Sequence, residues 1–182
     1  MKHSFCLAAA ILLVAGCSSV SVSRDYDPSF DFSKLHTYAW HHETQPKTGD
    51  PRIDNDLMDE RIRDAVDAKL VEKGFVRAQE QDADFLLAYY MTYKQRISGN
   101  TVSFGVGGGD YWNYGGVGYN TTISDYDEGQ LTIDIIDPTT GKTIWRSVGV
   151  RATYEGSSPE AMTKIVNSAV SRILAKFPPA KK

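Results

Sequence analysis

The 182-residue chain is 41% hydrophobic and 24% charged, with a net charge of −3 and a pI near 5.8. That length and composition suit one globular domain with a substantial core and leave little room for two. A mildly acidic chain offers no basic face to displace counterions from phosphates, so nucleic acid is not an expected partner.

The chain opens with Met1, Lys2 and His3, an apolar stretch from Phe5 to Val14, and then Ala15-Gly16-Cys17. Charged start, apolar run and small residues are the layout of a secretory signal. The apolar run is too short for a bilayer span, which needs about 20 residues. Val14-Ala15-Gly16-Cys17 resembles the lipobox of bacterial lipoproteins in all four positions. The resemblance implies a signal peptide over 1–16 and a diacylglyceryl group on the Cys17 sulfur. Cleavage before Cys17 and acylation of the new amine would follow. Several acyl chains hold stably where one holds marginally, at about 0.8 kcal/mol per buried methylene. Ser18 in place of Asp implies sorting to the outer membrane, facing the periplasm. Cys6 lies in the signal, so the mature domain is expected to contain no disulfide, cysteine nucleophile or thiolate metal site.

Residues 17–23 read as the lipidated cysteine and a short tether of about 20 Å at most, and residues 24–182 as a single domain. Val20, Val22 and Tyr26 alternate with polar residues as in a strand, and His36 to Trp40 form a second. A helix is predicted over 51–73, with Asp50 as N-cap, Pro51 at the first helical position and Gly74 as the stop. Its apolar stripe is Ile53, Leu57, Ile62, Val66 and Leu70. The opposite face carries Glu60, Arg61, Arg63, Asp64, Asp67 and Lys69.

From Ala83 to Lys94 both faces are largely apolar, as in a central strand. A hairpin joins Gln130–Ile136 to Lys142–Tyr154 across Asp137–Gly141, where Gly141 suits a positive φ. A last helix runs from Pro159 to Phe177, capped by Ser157 or Ser158 and ended by Pro178-Pro179. Its apolar stripe must pack on a sheet. The expected fold is therefore α+β: a mostly antiparallel, mixed sheet of about four to five strands with two helices on one face.

The segment at about 98–120 is rich in glycine and aromatic residues and separates two strands. A connection this long without structure of its own is usually functional or disordered. Tyr111, Trp112, Tyr114 and Tyr119 are the candidate ligand surface, since such rings stack at low entropic cost; a mobile loop or an irregular hairpin that packs its aromatics on the sheet edge is the simpler reading. Gly105–Asp110 lacks the Gly-Lys-Ser/Thr and following helix of a phosphate loop, so no nucleotide is expected. His41-His42-Glu43 lacks zinc-protease spacing and reads as surface. Asp125–Gly129 reads as a solvated acidic turn, lacking the terminal Glu of a calcium loop. No catalytic residue, metal or cofactor is assigned. The carboxylates Asp25, Asp27, Asp54, Asp56, Asp82 and Asp84 carry no spacing that places two in one pocket.

A sequence of short motifs identifies the resemblance. Asp25-Tyr26-Asp27-Pro28, Phe32-Ser33-Lys34, Thr37–Trp40, Lys73-Gly74-Phe75, Ala83–Tyr89, Gly129–Asp134, Gly141-Lys142 and Ile144-Trp145-Arg146 follow in the order seen in the bacterial lipoproteins of the DUF4136 family. That resemblance implies the fold and the lipid anchor and carries no established catalytic residues. The functional expectation is a membrane-anchored, non-catalytic binding or scaffold module with an envelope protein or cell-wall partner. A hydrolase-like periplasmic enzyme using Asp, Glu or His groups assembled by the fold is the alternative.

Overall fold

Alternating large apolar residues in four long segments dictate a sheet with one deeply buried face. The computed structural model describes residues 20–41, 47–100, 122–153 and 158–180. Its strands are β1 (Ser21–Tyr26), β2 (Thr37–Trp40), β3 (Val76–Arg77), β4 (Phe85–Asn100), β5 (Thr122–Ile136) and β6 (Thr143–Thr153); its helices are α1 (Asp56–Glu72) and α2 (Pro159–Ile173). The strands form one mixed sheet in the order β1-β6-β5-β4-β2-β3. β2 runs parallel to β3 and β4, and the remaining neighbours are antiparallel.

Among the described residues this is the expected α+β architecture, with six strands rather than four to five. The extra strand, β3, is too short for any alternation to show. Gly74, at φ 90°, ends the helical turn and swings the chain beside β2, where Val76 N donates to His36 O at 2.9 Å and Ala78 N to Tyr38 O at 2.8 Å. β1 begins inside the segment read as tether, and Val20 ahead of it is buried. Asp125–Gly129, read as an acidic turn, is extended backbone within β5, because β4 continues far enough to pair with it.

Helix α1 starts later than its sequence suggests. Asn55, not Asp50, is the cap: its side chain accepts from Met58 N at 2.9 Å, whereas the Asp50 carboxylate accepts from Arg52. The later start changes the buried stripe to Met58, Ile62, Ala65, Val66 and Leu70, and leaves Leu57 exposed. α2 is capped by Ser158 and tightens into a 3₁₀ turn, Leu174–Lys176, before Phe177. Both helices pack on the sheet face formed by Tyr38, Trp40, Phe85, Leu87, Tyr89, Leu131, Ile133, Ile135 and Trp145. Gly141 has the positive φ, 67°, that its turn requires.

Asp84 fastens β2 to β4 by accepting from His36 N at 2.8 Å and Thr37 N at 2.9 Å. Partial burial opposes its ionisation, but the Thr37 and His36 N–H groups outweigh that and hold its pKa below the ordinary 3.8. A depressed folded pKa adds stability above the unfolded value, and that stability is lost as pH falls through the folded one. Asp84→Asn is therefore expected to flatten the acid limb of the stability–pH curve relative to wild type, as measured by urea denaturation between pH about 2 and 5. Parallel curves would contradict this.

Gly149 lets Ile173, the last residue of α2, pack close against the sheet. A Cβ there would lie 2.8 Å from two Ile173 carbons and 3.3 Å from Val20 Cγ1. Ile173 is itself buried and cannot swing clear. Gly149→Val is expected to cost about 2–3 kcal/mol by overpacking, with partial recovery in the Gly149→Val/Ile173→Val double variant. Denaturant midpoints of these two variants and of Ile173→Val alone measure both effects.

Candidate functional site

Two groups of polar side chains flank the sheet, one on each face. On the helical face, Asp59, Arg63 and Asp67 recur every fourth residue along α1 and so form one stripe. β2 and β4 bring aromatic donors beneath it. Tyr38 Oη and Trp40 Nε1 each donate to Asp67 Oδ1 at 3.1 Å, and Arg77 pairs with Asp67 Oδ2 at 3.0 Å. Tyr89 Oη donates to Asp59 Oδ1 at 2.5 Å, while Arg63 Nε approaches both Asp59 oxygens at 3.0 and 2.9 Å. The Arg63 guanidinium lies 4.5 Å from the Trp40 ring centroid, within cation–π range.

Burial first, and then the neighbouring carboxylates, push the Tyr38 and Tyr89 phenols well above their ordinary pKa. Both hydroxyls therefore stay protonated donors at neutral pH, which suits a clamp and disqualifies them as bases. Asp67→Ala would leave the Tyr38 hydroxyl and the buried Trp40 N–H without their acceptor. The expected cost is about 2 kcal/mol, with Asp67→Asn costing less, both read from thermal or urea unfolding.

Among the described residues no α-helix covers the other face. At its centre Asp134 on β5 is only 2% exposed and sits across the ladder from Ala88 of β4 and Arg146 of β6. Arg146 binds it bidentately, Nε to Oδ1 at 2.7 Å and NH2 to Oδ2 at 2.6 Å, with the arginine side chain 54% exposed. The hydrogen bonds that Arg146 donates to Asp134, then the charge of that carboxylate, raise the Arg146 pKa and keep the guanidinium charged. Tyr90 stands diagonally beside the pair at 43% exposure. Ala39, Ala83, Leu86, Ala88 and Ile136 make a small second apolar cluster nearby.

The fold and its polar groups can be set beside other proteins. The profile of a family described as a domain of unknown function, DUF4136, matches residues 22–179. The chain belongs to the DUF4136 family. Among curated proteins nothing matches it. Among solved structures it is similar to a PDZ domain protein from Parabacteroides distasonis, at 13% identity and a TM-score of 0.54. That match covers 88% of this chain, which spans only 36% of the larger protein. A DUF4136 family protein from Bacteroides thetaiotaomicron aligns over 87% of this chain and 96% of its own, at 14% identity and a TM-score of 0.49. A PelC dodecamer from Paraburkholderia phytofirmans aligns over 86% and 96%, at 16% identity and a TM-score of 0.45. At such identities the likeness concerns the fold alone.

Within the DUF4136 chain, Cys17 and the aromatic residues Tyr111, Trp112, Tyr114 and Tyr119 lie outside the described residues, as do His42 and Glu43. His41 is exposed, 3.6 Å from the Glu80 carboxylate. No group of three or more His, Cys, Asp or Glu side chains among the described residues is arranged to hold a metal. Several carboxylates noted in the sequence act locally. Asp27 accepts from Ser29 in a turn, and Asp54 accepts from Thr48 and Gly49 ahead of α1. The clamp on α1 is the main feature that sequence reasoning missed. By sequence alone Arg63 and Asp67 belong to the charged face of the helix, and their fourth-residue spacing with Asp59 is the signal that points to the clamp.

A groove of about 540 Å³ lies between α1 and α2, bordered by Glu60, Asp64, Lys69, Glu72 and Asn167. Lys69 donates to both Glu72 oxygens at 2.8 Å, and this contact holds the Glu72 carboxyl below the ordinary carboxylate range. Among the described residues no helix is long and apolar enough to cross a membrane.

Proposed function

We propose that this DUF4136 protein is a lipid-anchored, non-catalytic binding or scaffold module of the bacterial cell envelope, held at the outer membrane by Cys17 and facing the periplasm. The single observation behind the binding role is the helix-free sheet face. There a rigidly held guanidinium and an exposed tyrosine sit side by side, a pairing suited to polar and aromatic contact with an envelope protein or cell-wall component. The half-buried polar groups of the opposite face are already used in joining α1 to the sheet. A general acid working at neutral pH needs a carboxyl with a raised pKa. Glu72, in the groove between the helices, is shifted the opposite way. The hydrolase-like alternative thus gains no support from this groove.

The lipid-anchor reading rests on Val14–Cys17 and Ser18. The short distance from Cys17 to buried Val20 fits an anchor that keeps the domain at its leaflet. Mass analysis of the mature chain and membrane fractionation test the anchor: wild type should carry acyl groups on Cys17 and sediment with membranes, and Cys17→Ser should do neither. A mature chain that begins elsewhere, or begins at Cys17 unacylated, removes the anchor.

For the binding role, a photo-crosslinking residue placed at Tyr90 should give a discrete adduct in living cells. The same residue at Glu72, on the helical side, should not. Adducts at both positions or at neither would count against the helix-free face.

A further inference from the structure

We propose that the free edge of β1 takes up an extended acidic segment of another protein, added to the sheet as one more strand with its carboxylates toward Arg24, Arg151 and Arg172. This surface is separate from the helix-free face and from Cys17, and the proposal stands or falls without either.

β1 is the outermost strand and pairs only with β6. Its register fixes which main-chain groups look outward. Asp27 N donates to Ile144 O at 2.9 Å, and antiparallel ladders alternate between bonded and non-bonded rungs. Ser21, Ser23 and Asp25 therefore direct their N–H and C=O groups to β6, and those of Val22, Arg24 and Tyr26 point away from the sheet. The two ends of this edge are closed: Asp25 Oδ1 accepts from Tyr26 N at 2.9 Å, and Val20 O accepts from Arg172 NH1 at 3.5 Å. Between them the N–H and C=O groups of Val22 and Arg24 meet no other group among the described residues, a stretch that suits a short added strand. Natural edges are commonly guarded by proline, lysine or a bulge, and β1 carries none of these.

The side chains say what would fill the edge. Val22 stands opposite Gly149 and Arg24 opposite Ser147, so both project on the side where Gly149 meets Ile173 of α2. Both are exposed, Val22 at 36%. Arg172 of α2 comes to the same margin through its contact with Val20 O. Arg151 follows Val150, the partner of Ser21, and shares the side of Gly149. Its Nε is buried and has no acceptor, a state rare enough in folded proteins to require a cause.

Arginines elsewhere in the domain are paired. Arg52, Arg63, Arg77 and Arg146 each bind a carboxylate, and Arg61 lies in the field of Glu160. Arg24, Arg151 and Arg172 have no carboxylate partner among the described residues. The chain from Ala161 to Phe177 adds Lys164 and Lys176 and contains no acidic residue. Three uncompensated guanidiniums along one margin are the complement of carboxylates, which they bind through paired N–H contacts.

Strand alternation then specifies the segment. Its residues on the helical side lie beside Val20, Val22 and Arg24 in turn, and those on the other side lie beside Ser21, Ser23 and Asp25. The first set calls for acidic, apolar and acidic residues, the second for small polar ones. Glu-Thr-Val-Thr-Glu meets both requirements in either strand direction. A second copy of this chain does not, because the helical side of its β1 offers Val22, Arg24 and Tyr26 and no carboxylate.

The test titrates the full chain in detergent into fluorescent peptides and reads their anisotropy. One peptide contains Glu-Thr-Val-Thr-Glu, the second the same residues reordered as Glu-Glu-Thr-Thr-Val, and the third Lys-Thr-Val-Thr-Lys. The alternating acidic peptide should bind at least about tenfold more tightly than either control. Val22→Pro removes an outward N–H and leaves the ladder to β6 in place, so it should abolish binding while the urea midpoint stays near that of wild type. Arg24→Glu/Arg172→Glu should reverse the preference toward the lysine peptide. Equal affinity for the alternating and reordered peptides, full binding by Val22→Pro, or no binding up to about 1 mM peptide overturns the proposal. Flotation of the Cys17→Ser chain with phosphatidylglycerol vesicles, lost in Arg24→Glu/Arg172→Glu and unaccompanied by peptide binding, would assign these arginines to a lipid surface and overturn it equally.

Discussion

Phe177→Ala is expected to lower the unfolding free energy by about 4 kcal/mol. The ring is 1% exposed and sits where four parts of the chain meet. It stacks on Phe75 at a 5.5 Å centroid distance and meets Phe85 at 5.5 Å, Trp145 at 5.2 Å and Phe32 at 6.3 Å edge to face. Those neighbours belong to the turn after α1, to β4, to β6 and to the 3₁₀ turn before β2, so a cavity there cannot be closed by shifting one element. Each lost edge-to-face contact adds to the transfer free energy of the ring. Against a total stability of about 5–15 kcal/mol, the loss removes from about a quarter to about four-fifths of it. Phe177→Leu, which keeps most of the volume, should cost about 1–2 kcal/mol. Urea titration at unchanged slope measures both; equal, small losses in the two variants would show that the cluster can collapse around the gap.

The second large effect concerns Arg146→Ala, for which a loss of about 2–3 kcal/mol is expected at neutral pH. Truncation leaves the Asp134 carboxylate, 2% exposed, without its bidentate partner. The figure is kept below the range for fully buried pairs because half of the Arg146 side chain meets water, which can enter as it leaves. The Arg146→Ala/Asp134→Ala double variant should be more stable than Arg146→Ala alone, because an apolar pair at this site leaves no stranded charge. Arg146→Lys should recover only part of the loss, since an ammonium cannot reproduce the two parallel N–H contacts. A double variant less stable than the single one would mean that the stranded Asp134 charge is not what makes Arg146→Ala costly.

How much of this was legible depended on the range of the forces involved. The β5–β6 hairpin and α2 follow from local pattern: alternation on both sides of a Gly141 turn, and a continuous apolar stripe behind the Ser158-Pro159 start. α1 misled at its N-terminus because Asp50-Pro51 has the chemistry of a helix start, yet Asp50 is held by Arg52 in a separate turn and Asn55 makes the cap. β3 and the β4–β5 arm were invisible for a different reason. Their extended backbone depends on which strand lies alongside, and no property of Val76-Arg77 or of Asp125–Gly129 announces that neighbour.

The polar groups divide in the same way. Spacing put Asp59, Arg63 and Asp67 on one stripe, but only the parallel placement of β2 beside β4 brings Tyr38, Trp40 and Tyr89 beneath it. Asp134 and Arg146 stood in separate motifs of the sequence, and the antiparallel register of β5 with β6 makes them opposite partners.

The placement of β1 at the sheet margin also governs how the domain bears mechanical load. Tension arriving through the chain ahead of Val20 acts along the axis of β1, so its hydrogen bonds to β6 from Ser21 to Tyr26 are sheared together instead of being peeled open one at a time. With Val20 buried beside Gly149, the first residue to feel the tug is already seated in the core.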